Sequence, residues 1–319
     1  MARVGVVLLT MGEPETLYQV RPYLRQLLAD PDLVRLPLPA LQPLFAMIVS
    51  RWREAGLRRK LRAIGNSSPV VHLAFHQKAQ LKQALHGAGD FRVYAAMRYG
   101  RPSSRDVVDR MLADGVDRAV ALPLYPHYCR ATTGSSLHDL RRSLQEAEAC
   151  IPVQELRSWP QHPGYLAALA EQVARALTPV QGRKAHLLLS AHGVPQSFIA
   201  DGDPYLREIE LTAEALRRRF PDTPCSLAFQ SRTGRGRWLG PETAAEALRL
   251  GRSGVEALVV VPLSFVSDNS ETLYDLDISL RAVAAQAGIQ AFRRVPALND
   301  SPAFIAALKD MVLSSQAAP

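Results

Sequence analysis

Aliphatic and β-branched runs alternate along this chain with stretches whose apolar positions recur at helical spacing. Val4–Thr10 (VGVVLLT) predicts a buried strand, closed by the turn Met11-Gly12-Glu13-Pro14. Residues 16–28 predict a helix. Residues 36–49 (LPLPALQPLFAMIV) are apolar, but Pro37, Pro39 and Pro43 forbid a continuous helix through the first half. Two readings stand for this run: an exposed apolar lip edged by the arginines that follow, or a buried loop and helix. Residues 65–69 (GNSSP) read as a loop and 71–86 as a helix. Phe91–Met97 predicts a strand ending at Arg98-Tyr99-Gly100, followed by a helix over 104–114 and a buried strand over 119–125. A helix over 136–148 and a strand over 153–158 complete the first half.

The pattern then starts again. Residues 186–190 predict a buried strand ending in Ala191-His192-Gly193, as Val4–Thr10 ends in Met11-Gly12. Cys225–Gln230 ends in Ser231-Arg232-Thr233-Gly234, echoing Met97-Arg98-Tyr99-Gly100. GVDRAVALPLYPHYCRATTG and GVEALVVVPLSFVSDNSETL align without a gap, so a whole α/β lobe is repeated. Strands alternating with helices imply a parallel sheet covered on both faces in each lobe. The expected fold is therefore α/β: two similar Rossmann-like lobes, residues 1–161 and 162–319, facing across a cleft. No GxGxxG opens either lobe, which argues against a dinucleotide site.

The halves differ where chemistry belongs. After its buried strand, the stretch 258–277 (LVVVPLSFVSDNSETLYDLD) carries Asp268, Glu271, Asp275 and Asp277, whereas the first half has the neutral Thr132-Thr133-Gly134-Ser135-Ser136. On a helical turn Glu271 and Asp275 share one face. Acids stacked this way repel each other, which suits a group that handles cations or protons. Helix N-terminal acids favouring the macrodipole are the plainer alternative, and the preferred one for Asp268 alone. His192 stands at a strand end where the first half offers Met11 or Gly12, and a pairing with Glu271 would let it accept a proton or bind a metal. His127 follows Pro126 in a loop, where a ligand and a structural role weigh equally. His72, His76, His86, His138, His162 and His186 fall on helix, strand or loop surfaces and receive no role. HExxH and the nucleophile elbow are both missing, and one histidine with carboxylates suits transient coordination better than a closed zinc site.

Composition narrows the setting. The 319 residues are 47% hydrophobic with a net charge of +8, much of it gathered in Arg51, Arg53, Arg58, Arg59, Lys60 and Arg62. Such a patch fits an acidic ligand or anionic lipid; no nucleic-acid module surrounds it, so nucleic acid is not an expected partner. The three cysteines have no CxxC spacing, which argues against a disulfide framework or cysteine metal site and fits a reducing cytoplasm. The N-terminal residues read as a strand rather than a signal peptide, and no apolar run approaches the ~20 residues that span a bilayer.

TMGEPETL (from Thr10), IGNSSP (from Ile64), MRYGRP (from Met97) and LYPHYCRATTGSSL (from Leu124) appear in the first half. The second has SAHGVP (from Ser190), GDPY (from Gly202), QSRTG (from Gln230), WLGP (from Trp238) and SFVSDNSETLYDLD (from Ser264). In this order they resemble the ferrochelatases, which insert Fe2+ into a porphyrin held between two Rossmann-like lobes. The resemblance implies His192 and Glu271 as catalytic residues at the pyrrole nitrogens. Asp275 would join them at the metal, and Asp277 would extend the path. It implies Met11, Arg98, Tyr99, Tyr125, Trp238 and Phe265 as substrate-binding residues, with Arg53 and Ser68 at positions that meet the propionates. Fe2+ is then substrate, porphyrin the partner, and residues 36–62 a lip for peripheral contact with the inner membrane.

Two departures from the family pattern stand out. Asn269 replaces the usual histidine of SDHxETLY, and asparagine takes no proton at neutral pH. The chain also stops soon after Val312, without the cysteine-bearing extension that holds an iron–sulfur cluster in some members, so no cluster and no resident cofactor are expected. Met11 and the TTGSS loop favour protoporphyrin IX as substrate. Coproporphyrin III, a more acidic tetrapyrrole with cobalt, and a non-catalytic tetrapyrrole carrier are the alternatives.

Overall fold

The computed structural model of the protein describes residues 2–232 and 236–317, so Thr233 and Gly234 of QSRTG lie outside the described residues. The chain separates into two compact units. One contains the described residues up to Trp159 together with those from Ile305 on; the other is Pro160–Phe304. The sequence division at 161/162 differs from this in the last helix, which groups with the first unit.

The first unit runs β1 (Val4–Thr10), α1 (Val20–Ala29), α2 (Gln42–Ala63), α3 (Val70–Ala84), β2 (Phe91–Met97), α4 (Ser104–Ala113), β3 (Arg118–Pro123), α5 (Ser135–Glu146) and β4 (Val153–Glu155). Its sheet is parallel throughout, in the order β2-β1-β3-β4. Every residue of β1 is buried, as a central strand covered on both faces requires. Helix starts follow local chemistry: the Ser103 hydroxyl accepts from the Asp106 amide while Asp106 reaches back to the Ser103 amide, a capping box for α4. Val20, Leu24 and Leu28, at i, i+4 and i+8 on α1, are buried, and Val20 and Leu24 cluster with Leu61 of α2.

The prolines of the lip are accommodated as their chemistry dictates. Pro39–Leu41 forms a short 3-10 turn, and Pro43 falls in the first turn of α2, where its missing N–H costs nothing. The apolar run and the basic run are therefore one helix of 22 residues. The Gln42 amide donates to the carbonyls of Leu28 and Val34, both at 2.8 Å, fastening the start of α2 to the end of α1. The opposite face stays in water: Leu38, Leu41, Leu44, Met47, Ile48 and Trp52 are exposed, Trp52 by 79%. Of the two sequence readings, the exposed lip is the one observed.

The second unit runs α6 (Pro163–Leu177), β5 (Ala185–His192), α7 (Gln196–Ala200), α8 (Tyr205–Arg219), β6 (Cys225–Gln230), α9 (Thr243–Arg252), β7 (Ala257–Pro262), a π-helix (Glu271–Leu280), α10 (Arg281–Gln286) and β8 (Ala291–Arg294). The terminal helix α11 is Pro302–Ala317. The sheet order is β6-β5-β7-β8, again all parallel. This is the first sheet's order with each strand replaced by its counterpart, so the sequence repeat is a repeat of topology. In both sheets the chain reverses its direction of winding beside the first strand, between β1 and β3 and between β5 and β7. Ligands of open α/β sheets gather at the carboxyl ends of such strand pairs. Met11 and Tyr125 occupy that position in the first unit; His192, Ser264 and Phe265 occupy it in the second.

Candidate active site

His192 is the last residue of β5, in register with Gln230 of β6. Its backbone is held on both sides: its amide donates to Ser264 Oγ at 2.8 Å, and Tyr205 Oη donates to its carbonyl at 2.9 Å. Tyr205 and Ser264 are themselves 2.6 Å apart. Gly193 must be glycine here, since a Cβ would stand 2.8 Å from the Gln230 carbonyl that its amide also bonds. The imidazole is 36% exposed and lies edge-on to Phe265, with ring centroids 6.2 Å apart.

Glu271 begins the π-helix and brings Oε2 to 2.9 Å from His192 Nδ1. The same oxygen accepts from Ser231 Oγ at 2.6 Å and Gln230 Nε2 at 3.1 Å. Burial pushes this carboxyl upward, but His192 beside it and the donors Ser231 and Gln230 outweigh burial and hold it down to about 2. Glu271 is therefore a carboxylate at neutral pH. An imidazole donating Nδ1–H to it carries its lone pair on Nε2, the atom that takes a proton or a metal. Ser231 reaches Glu271 from a left-handed backbone, φ 65°, uncommon for a residue with a Cβ.

The remaining acids of the run divide into separate tasks. Arg294, its side chain 8% exposed, donates to Asp268 at 2.7 Å and to Asp277 at 2.6 Å. Asp268 also accepts from Asn299 at 3.0 Å, and Asp277 pairs with Arg281 at 3.1 Å. The expected mutual repulsion is thus relieved at these two positions by a buried cation. Asp275 is half-buried on the π-helix. The helix is wound i→i+5, so the residues after Glu271 do not follow the α-helical spacing expected for them. Asn269 is buried, and its Oδ1 accepts from the amides of Glu271 at 2.9 Å and Thr272 at 3.0 Å. It caps the helix that carries Glu271, a task that needs no titratable group. Among the described residues no three His, Cys, Asp or Glu side chains gather as a metal cage.

In the first unit, Tyr125 Oη accepts the Met11 amide at 2.7 Å and lies 3.4 Å from Thr10 Oγ1. Burial pushes this phenol up to about 12. Gly12 follows at φ 76°, the left-handed turn that takes the chain away from β1. Arg98 and Tyr99 meet an acid given no role by sequence pattern. Asp30 accepts from Arg98 at 2.7 Å, Tyr99 at 2.6 Å and Ser135 at 2.5 Å. Arg98 is also 3.5 Å from Asp139 and stacks over Tyr99 at 5.0 Å. Burial raises the Asp30 carboxyl, but the Ser135 and Tyr99 hydroxyls and the Arg98 charge bring it below the ordinary value. Ser68 is buried at the start of α3, its amide bonded to the Pro14 carbonyl at 3.2 Å and its hydroxyl accepting the Val70 amide at 3.4 Å. Arg53 is exposed on α2.

Trp238 is half-buried and bridges to Pro195, three residues past His192, while Leu239 donates to the Val194 carbonyl at 3.0 Å. The structure thus brings His192, Glu271 and Phe265 together, sets Trp238 on the strand-end segment beside them, and commits Arg98 and Tyr99 to Asp30. Sequence pattern had assigned no role to Gln230, Ser231, Ser264 or Tyr205. Their position at the ends of strands beside β5, or within GDPY, was the available signal.

A family model described as Ferrochelatase matches residues 3–316. The ferrochelatase of Synechococcus sp. (strain RCC307) is 45% identical over 325 residues, covering 100% of this chain and 84% of the relative. That of Synechocystis sp. (strain ATCC 27184 / PCC 6803 / Kazusa) is 42% identical over 326 residues, covering 99% and 83%. Among solved structures, SirB from Bacillus subtilis with Fe3+ superposes with a TM-score of 0.57 at 9% identity, over 98% of this chain and 95% of that one. CbiX, described as the terminal enzyme of sirohaem biosynthesis in denitrifying bacteria, gives 0.51 at 17% identity over 98% of both. At these identities the two structures speak for the fold alone.

Proposed function

The chain belongs to the ferrochelatase family, and from that premise we propose that it inserts Fe2+ into protoporphyrin IX to form protohaem, the last step of haem biosynthesis. The observation that carries the chemistry is the hydrogen bond between His192 Nδ1 and Glu271 Oε2 at 2.9 Å. Metallation exchanges two pyrrole N–H protons for one Fe2+. His192 takes the two protons one after the other through Nε2 and releases each to water at its 36% exposed ring, while the ionised Glu271 stabilises the imidazolium formed each time. His192, Glu271 and Asp275 are the groups assigned to the incoming Fe2+, which is substrate and not a resident cofactor. Their mixed nitrogen and oxygen donors suit a metal that must leave again. Because Glu271 stays charged down to about 2, the pair is ready for this exchange across the neutral range.

Met11, Tyr125, Trp238 and Phe265 are assigned to the macrocycle, and Arg53 and Ser68 to its propionates. Arg98 and Tyr99 act on substrate through the wall they build with Asp30. The exposed apolar face of α2, bordered by Arg51, Arg53 and Arg59, supports peripheral contact with the inner membrane from the cytoplasm. Among the described residues no helix is long and apolar enough to cross a membrane. A resident cluster is not part of the proposal: the chain has three cysteines, one short of a four-thiolate set.

The test is anaerobic Fe2+ insertion by the purified protein, with protoporphyrin IX and coproporphyrin III run in parallel and His192→Ala as control. Multiple turnovers with protoporphyrin, lost in the control, are expected. Preference for coproporphyrin would move the substrate and keep the chemistry. Tight porphyrin binding without turnover would replace the enzyme with a carrier.

A further inference from the structure

Two histidines that take no part in the chemistry above stand side by side on α3. His72 and His76 lie four residues apart on α3, so both side chains stand on one face of the helix, one turn from each other. Both are exposed, and their ring centroids are 4.2 Å apart with planes tilted by 47°. A cation held by one of these rings has the other within reach on the same rigid helix. The second bond is then intramolecular and adds affinity that a lone surface histidine lacks. Binding costs little order, because the helix has already fixed both backbones.

We propose that His72 and His76 form a reversible surface site for a divalent transition cation. Two imidazole nitrogens set its preference. Nitrogen donors follow the order Fe2+ < Co2+ < Ni2+ < Cu2+ > Zn2+, so the site favours Ni2+, Cu2+ or Zn2+ over Fe2+. Among the described residues no third His, Cys, Asp or Glu completes a cage, so water fills the remaining positions and the metal exchanges freely. The inference does not rest on the assignment of His192 and Glu271, and its residues are none of theirs.

Titration of the full chain with Ni2+, followed by calorimetry, tests this. The variants are His72→Gln, His76→Gln and, to mark any cation held at His192, His192→Ala. One Ni2+ equivalent is expected in the unaltered chain and in His192→Ala. Its affinity should fall roughly tenfold or more in each glutamine variant, the range that disturbing a metal ligand's surroundings already costs. Adding Phe75→His to His76→Gln restores an i,i+3 pair on the same face and should recover part of the affinity. Unchanged Ni2+ binding in both glutamine variants would overturn the proposal, as would loss of the only equivalent in His192→Ala. Fe2+ insertion at saturating Fe2+ is expected to be the same in both glutamine variants as in the unaltered chain.

Discussion

Each unit holds a carboxylate among hydrogen-bond donors beside the ends of its strands, Asp30 buried and Glu271 half-buried. Asp30 in the first unit is bound by Tyr99, Ser135 and the guanidinium of Arg98. Glu271 in the second is bound by Gln230, Ser231 and the imidazole of His192. Both are held below their ordinary values. The difference lies in the charged partner. An arginine keeps its proton at any physiological pH, so the Asp30 cluster is a fixed anchor. An imidazole can either hold or give up a proton, which a guanidinium in the Asp30 cluster does not do. The same sheet order thus carries an arginine–carboxylate cluster in one unit and a histidine–carboxylate pair in the other.

The contrast breaks first at His192. His192→Ala is expected to lower the rate of Fe2+ insertion about 10²–10⁴-fold, the usual contribution of a positioned acid–base group. Its thermal stability should change far less, as the ring is 36% exposed. Asp30→Ala should act first on stability. It leaves Arg98, 17% exposed, without its closest buried partner, a loss of roughly 3–5 kcal/mol when one half of a buried pair is removed. Chemical denaturation would reveal it, and an unchanged midpoint would show that Asp139 alone suffices. Glu271 sharpens the comparison through pH. Its folded value, about 2, lies below the ordinary 4.5, so its stabilisation is complete above 4.5 and is lost as pH falls from there toward 2. Glu271→Gln should therefore flatten the acid limb of the stability profile in that window. Ser231→Ala removes one donor from the charged oxygen and is expected to cost roughly 1.5–3 kcal/mol. Trp52→Ser is the smallest: at 79% exposure it should leave folding within roughly 0.5 kcal/mol and weaken only sedimentation with anionic vesicles.

Much of the fold was legible because its signals are local. Buried strands such as Val4–Thr10 announce themselves by continuous apolar runs, and the prolines showed that no helix runs unbroken through the first half of residues 36–49, where α2 begins only at Gln42. The repeat told which strand ends correspond, and so singled out His192 against Met11. What sequence withheld was long-range or depended on winding. Asp30 meets Arg98 and Ser135 across 68 and 105 residues, and nothing near it in the chain marks that meeting. Arg294, at the end of β8, reaches Asp268 in the loop after β7 and Asp277 on the π-helix, which braces two of the acids that looked mutually repelling. The π-helix has no period distinct enough in ten residues to separate it from an α-helix. Asn269 looked like a lost proton acceptor; its contacts make it a cap.

Arg294 also acts as a gauge of length. A helix wound i→i+5 packs more residues into each turn than one wound i→i+4, and so advances less along its axis for the same stretch of chain. Were the segment after Glu271 to rewind to the tighter coil, it would have to grow longer and carry Asp277 away from Asp268. One guanidinium grips both acids, at 2.6 and 2.7 Å, and so favours the short form. The reach of a single side chain thereby braces the wider winding of the helix that begins at Glu271.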